Sequence, residues 1–252
     1  MQNQACRDGI FYQDYSGIFK GGGIRSVFFQ RHGGVSRTPY DSLNVSVNVG
    51  DRGDHVGENR QRIKKVLGIP SLLSLGQVHG DQVLSATRLL PEDREVPGYD
   101  AIVSNTTQAL MIQQADCQAV TLFDPFMKVA AVAHVGWKGS VNGILGKTID
   151  VMTREFSCQP ADIIGVISPS LGACCAEFRG YRTTLPSWMH RFKGNNDYFD
   201  FPAISRFQLA ECGLSPVNIH RIEICTRCDS NYFSFRRDQD TGRFATVVAI
   251  QD

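Results

Sequence analysis

The sequence predicts an α+β fold, a single domain with mixed β-sheets flanked by helices, and three observations carry that prediction. Strand-like runs outnumber helix-like ones, and their order is irregular; strict alternation would instead read as a doubly wound parallel sheet. Three short apolar runs stand close together mid-chain, at residues 109–112, 119–123 and 129–133, with breakers between them. No Pro/Ser-rich tract, charge block or low-complexity run divides the 252 residues, and their 42% hydrophobic content can fill one large core. Residues 1–252 are therefore read as one domain.

Taken in order, Gly21-Gly22-Gly23 reads as a turn after a short leader. Residues 27–29 read as a strand entering the glycine turn at Gly33-Gly34. Val56, Ile63, Val66 and Leu67 give one buried stripe of a helix over 56–67, with Asp54 as N-cap and Gly68 and Pro70 at its end. Residues 71–78 return to strand character. The three central runs, closed by Asp124-Pro125 and Gly136, read as strands buried on both faces. A helix follows, capped by Ser140, with Val141, Ile144, Leu145, Thr148, Ile149 and Met152 at helical spacing. Residues 163–167 are a further buried strand, leading into a loop over 168–172. A helix over 202–212 starts near Asp200 and ends at Gly213. Residues 217–224 and Phe244–Ile250 read as strands.

The formal charge is +1, from 26 basic and 25 acidic residues, without a basic stripe. That balance argues against a nucleic-acid partner and for a small substrate. No apolar run approaches the roughly 20 residues that span a bilayer. Residues 1–17 carry scattered charges and amides without an apolar h-region, so a secretory signal is not expected and the cytoplasm is. The eight cysteines are then read as reduced thiols, metal ligands or catalysts rather than disulfides. Cys158 and Cys212 read as small buried apolar residues, and Cys174-Cys175 as packing. Cys225-x-x-Cys228 has no second Cys-x-x-Cys and does not open a helix, which speaks against a zinc or redox role.

His79, Cys117 and His134 are metal-competent side chains at the ends of apolar strands, where residues distant in sequence can converge. Two His and one Cys suit Zn²⁺ and leave a fourth position for water or substrate, as in catalytic sites. Asp116 is the expected proton shuttle or supporting carboxylate. Each residue alone has a plainer reading, a hydrogen-bonded core histidine or an inert buried thiol, and the separations match no local zinc motif. A Cys117 nucleophile with His134 as its base is sound chemistry too, and is the second enzymatic reading. Copper suits a His₂Cys site too. Multicopper oxidation, however, needs many histidines in His-x-His pairs, and the chain has six His and no such pair.

The strings RHGGVS at Arg31, SLNVSVNVGD at Ser42, ENR at Glu58, GQVHG at Gly76, ADC at Ala115, HVGWKG at His134 and SPSLGACC at Ser168 occur together and in order. Together they resemble the laccase-domain family, the multicopper polyphenol oxidase or YfiH-like proteins, described more recently as purine nucleoside phosphorylases. The resemblance spans residues 27–250. It implies a fold like the deamidase domain of cytotoxic necrotising factor. It also implies zinc on His79, Cys117 and His134. The implied reaction is phosphorolysis of adenosine, inosine and methylthioadenosine to free base and ribose 1-phosphate, with adenosine deamination as a second activity. Peptidoglycan-precursor editing is another activity it suggests. The chain departs from the family pattern at Lys138 (usually Arg), Ala119 (often Pro) and Ser168 (Gly). Phosphorolysis needs an anion site beside the sugar. Arg31, Lys138 and Arg236 are the candidates, with amides from Gly33-Gly34 and Gly136, and Asn44 for a ribose hydroxyl or phosphate. Competing readings are a cysteine hydrolase or deamidase, a copper-dependent polyphenol oxidase, and a metal- or partner-binding module without turnover. The oligomeric state is left open.

Overall fold

The structure, a computed structural model, describes residues 4–19 and 21–251. The chain opens with a hairpin, β1 (Gln4–Arg7) and β2 (Ile10–Asp14), whose two-residue turn Asp8-Gly9 has both φ angles positive. Asp-Gly is among the strongest short hairpin signals, because both turn positions need left-handed backbone. The short leader expected before Gly21 includes this hairpin: residues 4–14 extend a sheet and residues 16–18 form a 3-10 turn, while residues 1–3 lie outside the described residues.

β3 (Ile24–Phe29) pairs with β2. Helix α1 (Gly53–Leu67) ends on Gly68 at φ 71°, which donates its N–H to Lys64 O as a left-handed cap. Asp54 is not its N-cap: Arg52 takes that position, and Asp54 sits in the first turn, held by Arg52. Then come β4 (Leu72–Gly76), β5 (Val83–Ala86), β6 (Arg94–Pro97), β7 (Ala101–Ser104), β8 (Ala109–Gln114), β9 (Gln118–Asp124) and β10 (Val129–Val135). The single helix expected after β10 is two, α2 (Trp137–Asn142) and α3 (Ile144–Phe156). Gly143 separates them at φ 77°, and Ser140 lies inside α2, bonding back to Gly136 O instead of capping. β11 (Ile164–Ile167), α4 (Tyr181–Thr184) and α5 (Phe201–Glu211) follow, and Asp200 caps α5 by accepting from Ala203 N–H at 3.0 Å. The strand expected over 217–224 shortens to β12 (Ile219–Arg221). α6 (Phe235–Asp238) and β13 (Phe244–Ile250) complete the chain.

The strands form two mixed sheets, as expected. One has the order β1-β2-β3-β13-β8-β4-β6, the other β12-β11-β9-β10-β7-β5. They pack face to face. Phe28, Ile112 and Val248 of the first meet Ile102, Val132 and Val166 of the second in one apolar layer. α1 covers the outer face of the first sheet through Ile63 and Val66. α3 and α5 cover the second through Leu145, Ile149, Met152 and Leu209. Strand alternation puts Ala130 and Val132 in the inter-sheet layer and Ala131, Ala133 and Val135 under α3. Both faces of β10 are therefore buried, which is why its sequence is apolar without alternation. Among the described residues, no helix is long and apolar enough to cross a membrane.

Candidate active site

At one end of the sandwich the two sheets part, and three chain segments meet there. The first follows β4. Gln77 donates its amide to Gln113 O (2.9 Å) and accepts from Gln113 N–H (2.8 Å), so its side chain acts as one more strand partner for β8. Residues 78–80 then turn back, with His79 in the left-handed region at φ 57°. The second segment, residues 115–117, carries the chain from β8 in one sheet to β9 in the other, with Asp116 at φ 89°. The third is His134, near the end of β10 and paired with Ala119 of β9.

The ligand atoms of His79, Cys117 and His134 lie within 4.8 Å of one another. The two imidazole rings are 4.7 Å apart and edge-to-face. His134 is buried, Cys117 half-buried and His79 exposed to the cleft. A side chain at Gly136 would come within 3.2 Å of both Cys117 Sγ and His79 Cδ2, so only glycine leaves this cradle open.

Asp100, which the sequence reading did not single out, organises the group. It is fully buried and accepts N–H bonds from Val78 (3.2 Å), His79 (3.0 Å) and Gly80 (2.7 Å). Its carboxylate also lies 2.9 Å from His134 Nδ1. One side chain thus fixes the 78–80 turn and the His134 ring together, and in the neutral ring a proton on Nδ1 leaves the Nε2 lone pair free for a metal. Burial works against the Asp100 charge, but His134 and the Gly80 amide hold its carboxyl below the ordinary value. Burial alone would raise the Cys117 thiol. The charge of His134 and hydrogen bonds from His134 and His79 outweigh it and bring the thiol down to about 6. His134 is correspondingly raised to about 9: burial opposes its charge, and the Cys117 thiolate and Asp100 favour it. A thiolate, an imidazole with its far nitrogen anchored, and a second imidazole facing solvent make a donor set that fits a zinc-type ion with an open position.

The group opens into a cleft of about 650 Å³. Trp137, Phe178 and Phe201 form an aromatic wall, with Phe178 5.3 Å from Trp137 and 5.9 Å from Phe201. Gln118 Oε1 is buried in the lining and has no hydrogen-bond partner among the described residues. Two guanidinium groups also belong to the lining. Arg236, expected from sequence, is held by Cys175 O (2.9 Å) and Glu177 O (3.2 Å). Arg243, not expected, stands at the head of β13, and no carboxylate is in ion-pair reach of it among the described residues. Burial lowers Arg243 from its ordinary value, against the opposing pull of Cys117 and Asp116.

Three of the other expected residues lie outside the cleft lining, and Asp116 lies within it. Arg31 is tied to Asp41 (3.3 Å) and lies over Phe233 (4.6 Å), away from the cleft lining. Asn44 is fully buried. Its amide donates to Ser46 O and Asp51, and its carbonyl accepts the N–H of Ser46 and of Arg243, so it braces the cleft rather than lining it. The Gly34 N–H is taken by Ser42 Oγ. Lys138 is exposed, over Trp137, and does not line the cleft. Asp116 lines it, but its two oxygens accept from Thr226 Oγ1 (2.7 Å) and Arg236 N–H (2.6 Å), a bracing arrangement instead of a free base. Asn59 of the ENR string ties Val35, Ser36, Ser42 and Asn44 together, which delivers Ser46 and Asn48 to the cleft rim.

The depressed Cys117 thiol has a direct readout. In metal-free protein, iodoacetamide labelling of Cys117, followed by peptide mass spectrometry, is expected to rise through a midpoint near pH 6. Thiolate is present above that midpoint and lost below it. A midpoint near the ordinary thiol value of 9 contradicts the electrostatic reading.

A family model described as multi-copper polyphenol oxidoreductase laccase matches residues 25–251. The purine nucleoside phosphorylase YlmD of Geobacillus stearothermophilus is 30% identical, with 96% of this chain and 98% of that one covered. The purine nucleoside phosphorylase YfiH of Escherichia coli is 32% identical over 90% of this chain and 93% of that one. The crystal structure of YlmD from Geobacillus stearothermophilus superposes over 100% of both chains with a TM-score of 0.87 at 26% identity.

Proposed function

The chain belongs to the multi-copper polyphenol oxidoreductase laccase family, and from that premise we propose that it is a zinc-dependent purine nucleoside phosphorylase. The observation that carries this reading is that one cleft joins the two-His, one-Cys group, an aromatic wall and two guanidinium groups. A nucleoside and an inorganic anion need those features side by side. His79, Cys117 and His134 would hold a zinc ion, which would supply Lewis acidity at the cleft.

In phosphorolysis a phosphate oxygen forms a bond to the anomeric carbon, and the carbon–nitrogen bond to the purine breaks. Arg243 and Arg236 hold and orient the phosphate; a guanidinium donates to two oxygens at once. Trp137, Phe178 and Phe201 take the face of the purine and exclude water from it. Gln118 Oε1 accepts from a hydroxyl or amino donor of the nucleoside, which satisfies an otherwise orphaned buried atom. Asp100 keeps His134 in the tautomer that presents Nε2 to the ion. Copper can occupy the same donors. The sequence lacks the His-x-His pairs of a multicopper oxidase, which supports phosphorolysis over oxidation.

The test is a panel of adenosine, inosine and methylthioadenosine with and without phosphate. Free base and the sugar 1-phosphate (ribose 1-phosphate from adenosine and inosine, 5-methylthioribose 1-phosphate from methylthioadenosine) are expected only with phosphate present, and the same assay reports adenosine deamination as inosine. Base release independent of phosphate overturns the reading. Arg243→Ala is expected to raise the phosphate KM roughly 10- to 150-fold, the equivalent of lost charge-assisted bonds of about 1.5–3 kcal/mol. Lys138→Ala, on the exposed face of α2, should change it by no more than about twofold. The reverse ranking would move the anion site to α2.

A second reading has one observation in its favour. Cys117, His134 and Asp100 stand in the order of a thiol nucleophile, its base and the base's orienting carboxylate. A cysteine hydrolase or deamidase would use them with the thiolate free of metal.

A further inference from the structure

The Cys174-Cys175 pair and the Cys225-x-x-Cys228 pair, read separately in the sequence, come together in the fold. Their four sulfur atoms lie within 4.8 Å of one another. Cys228 Sγ is 3.4 Å from Cys175 Sγ and 3.7 Å from Cys174 Sγ. A disulfide would bring two sulfurs to about 2.05 Å. Four thiolates bonded to one zinc ion at about 2.3 Å stand at tetrahedral corners, which are about 3.8 Å apart.

The backbone is built to present these sulfurs. Cys175 and Ala176 both donate their N–H to Gly172 O, forming a tight turn that aims two adjacent cysteines at one point. Cys228 and Asp229 both donate to Cys225 O, the turn that a Cys-x-x-Cys pair needs to converge. Ser170 N–H to Ile224 O and Thr226 N–H to Ser170 O lace the two loops together. The Gly172 N–H points at Cys225 Sγ (3.3 Å), and Arg227 Nη1 lies 3.5 Å from Cys175 Sγ. These N–H groups suit sulfurs that carry negative charge. A side chain at Gly172 would press within 3.0 Å of Cys225 Cβ, so the cluster closes on itself there.

We propose that Cys174, Cys175, Cys225 and Cys228 form a closed four-thiolate site for a structural zinc ion, distinct from the two-His, one-Cys group of the cleft. Four protein ligands leave no position for substrate, so the site is a clasp and not a second catalytic centre. What it clasps is the cleft wall. The 170–178 loop supplies Leu171, Ala176 and Phe178 to the lining, and the backbone oxygens of Cys175 and Glu177 hold Arg236. The other loop supplies Thr226, which holds Asp116.

Metal analysis of the purified full chain is expected to give two zinc ions per molecule in the wild type. The His79→Ala/His134→Ala variant should keep one, and its X-ray absorption spectrum should show only sulfur neighbours, at about 2.3 Å. Cys225→Ser/Cys228→Ser should also keep one, that of the cleft. Its amide exchange should rise in residues 170–178 and 225–236 and stay unchanged in α1. A cleft variant that holds no zinc overturns the proposal, as do nitrogen or oxygen neighbours in its spectrum; a single, all-sulfur zinc in the wild type overturns the zinc reading of the cleft and leaves this site standing. Disulfides joining the two cysteine pairs in protein purified under reducing conditions overturn it too. The wild-type and cleft-variant measurements decide the matter even where the Cys225/Cys228 variant fails to fold.

Discussion

Cys117→Ser is expected to lower nucleoside turnover by about 10³-fold or more and to strip the cleft of its metal in the same step. Serine is nearly the size of cysteine, so the fold should hold. Its hydroxyl, however, does not ionise near neutral pH, whereas the Cys117 thiol, brought down to about 6 beside His134, does. Loss of the ion forfeits several kcal/mol of charge stabilisation, and each 1.36 kcal/mol is tenfold in rate. The same variant is silent in a cysteine hydrolase, so activity alone does not separate the two readings; chelation of the wild type does. Under the zinc reading, chelated protein stops turning over, regains activity on adding Zn²⁺, and alkylates at Cys117 faster than metal-loaded protein. Full activity in metal-free protein would sink the zinc mechanism and leave the Cys117–His134–Asp100 triad.

The second large effect falls on a residue outside the ligand set. Asp100→Asn should weaken metal binding in the cleft roughly 10- to 100-fold, measured by competition with a chromophoric chelator, and turnover at limiting zinc should fall with it. The amide keeps the shape but removes the charge beside His134 Nδ1. It also turns NH₂ hydrogens toward a site where three backbone N–H groups, a ring nitrogen and little else converge. Asp100→Ala should go further, because the buried N–H groups of residues 78–80 then lack an acceptor, at about 1–3 kcal/mol for each one left unsatisfied. Such a loss should appear as a lower unfolding midpoint as well as weaker metal binding. Unchanged zinc affinity in Asp100→Asn protein would mean that the carboxylate only holds the turn.

What the sequence made legible follows burial. β8, β9 and β10 are buried along their whole length, so their apolar runs stand out. β5 and β6 are largely half-buried or exposed and only four residues long, and they carry no such run. The gap between α2 and α3 turns on the φ of Gly143, which helical spacing does not register. In the cleft, His79, Cys117 and His134 were visible as polar residues closing apolar strands. Asp100 and Arg243 were not, since each acquires its role from partners far along the chain. The four cysteines were seen as two unrelated pairs because about fifty residues separate them and the first pair is adjacent. The strings around Arg31 and Asn44 were distinctive, yet their side chains brace loops. Two departures from the family pattern also prove to be one feature. Ala119 has a buried N–H that a proline there would lack, and Ser168 Oγ accepts it at 2.9 Å, a bond that glycine at 168 could not make.

The three cleft donors also have a thermodynamic meaning. One follows a strand of the first sheet, one sits on the link between sheets, and one belongs to the second sheet. Any opening that slides one sheet from the other must break this set, so an ion bound there binds the folded state and not the opened one. Mass action then ties folding to free metal. An ion at 1,000 times its dissociation constant adds about 4.1 kcal/mol to the folded state, a large share of the 5–15 kcal/mol typical of a whole domain. The unfolding midpoint of a metal-loaded protein would accordingly gauge the free metal around it, and a midpoint that does not move on adding Zn²⁺ would speak against an ion at this set.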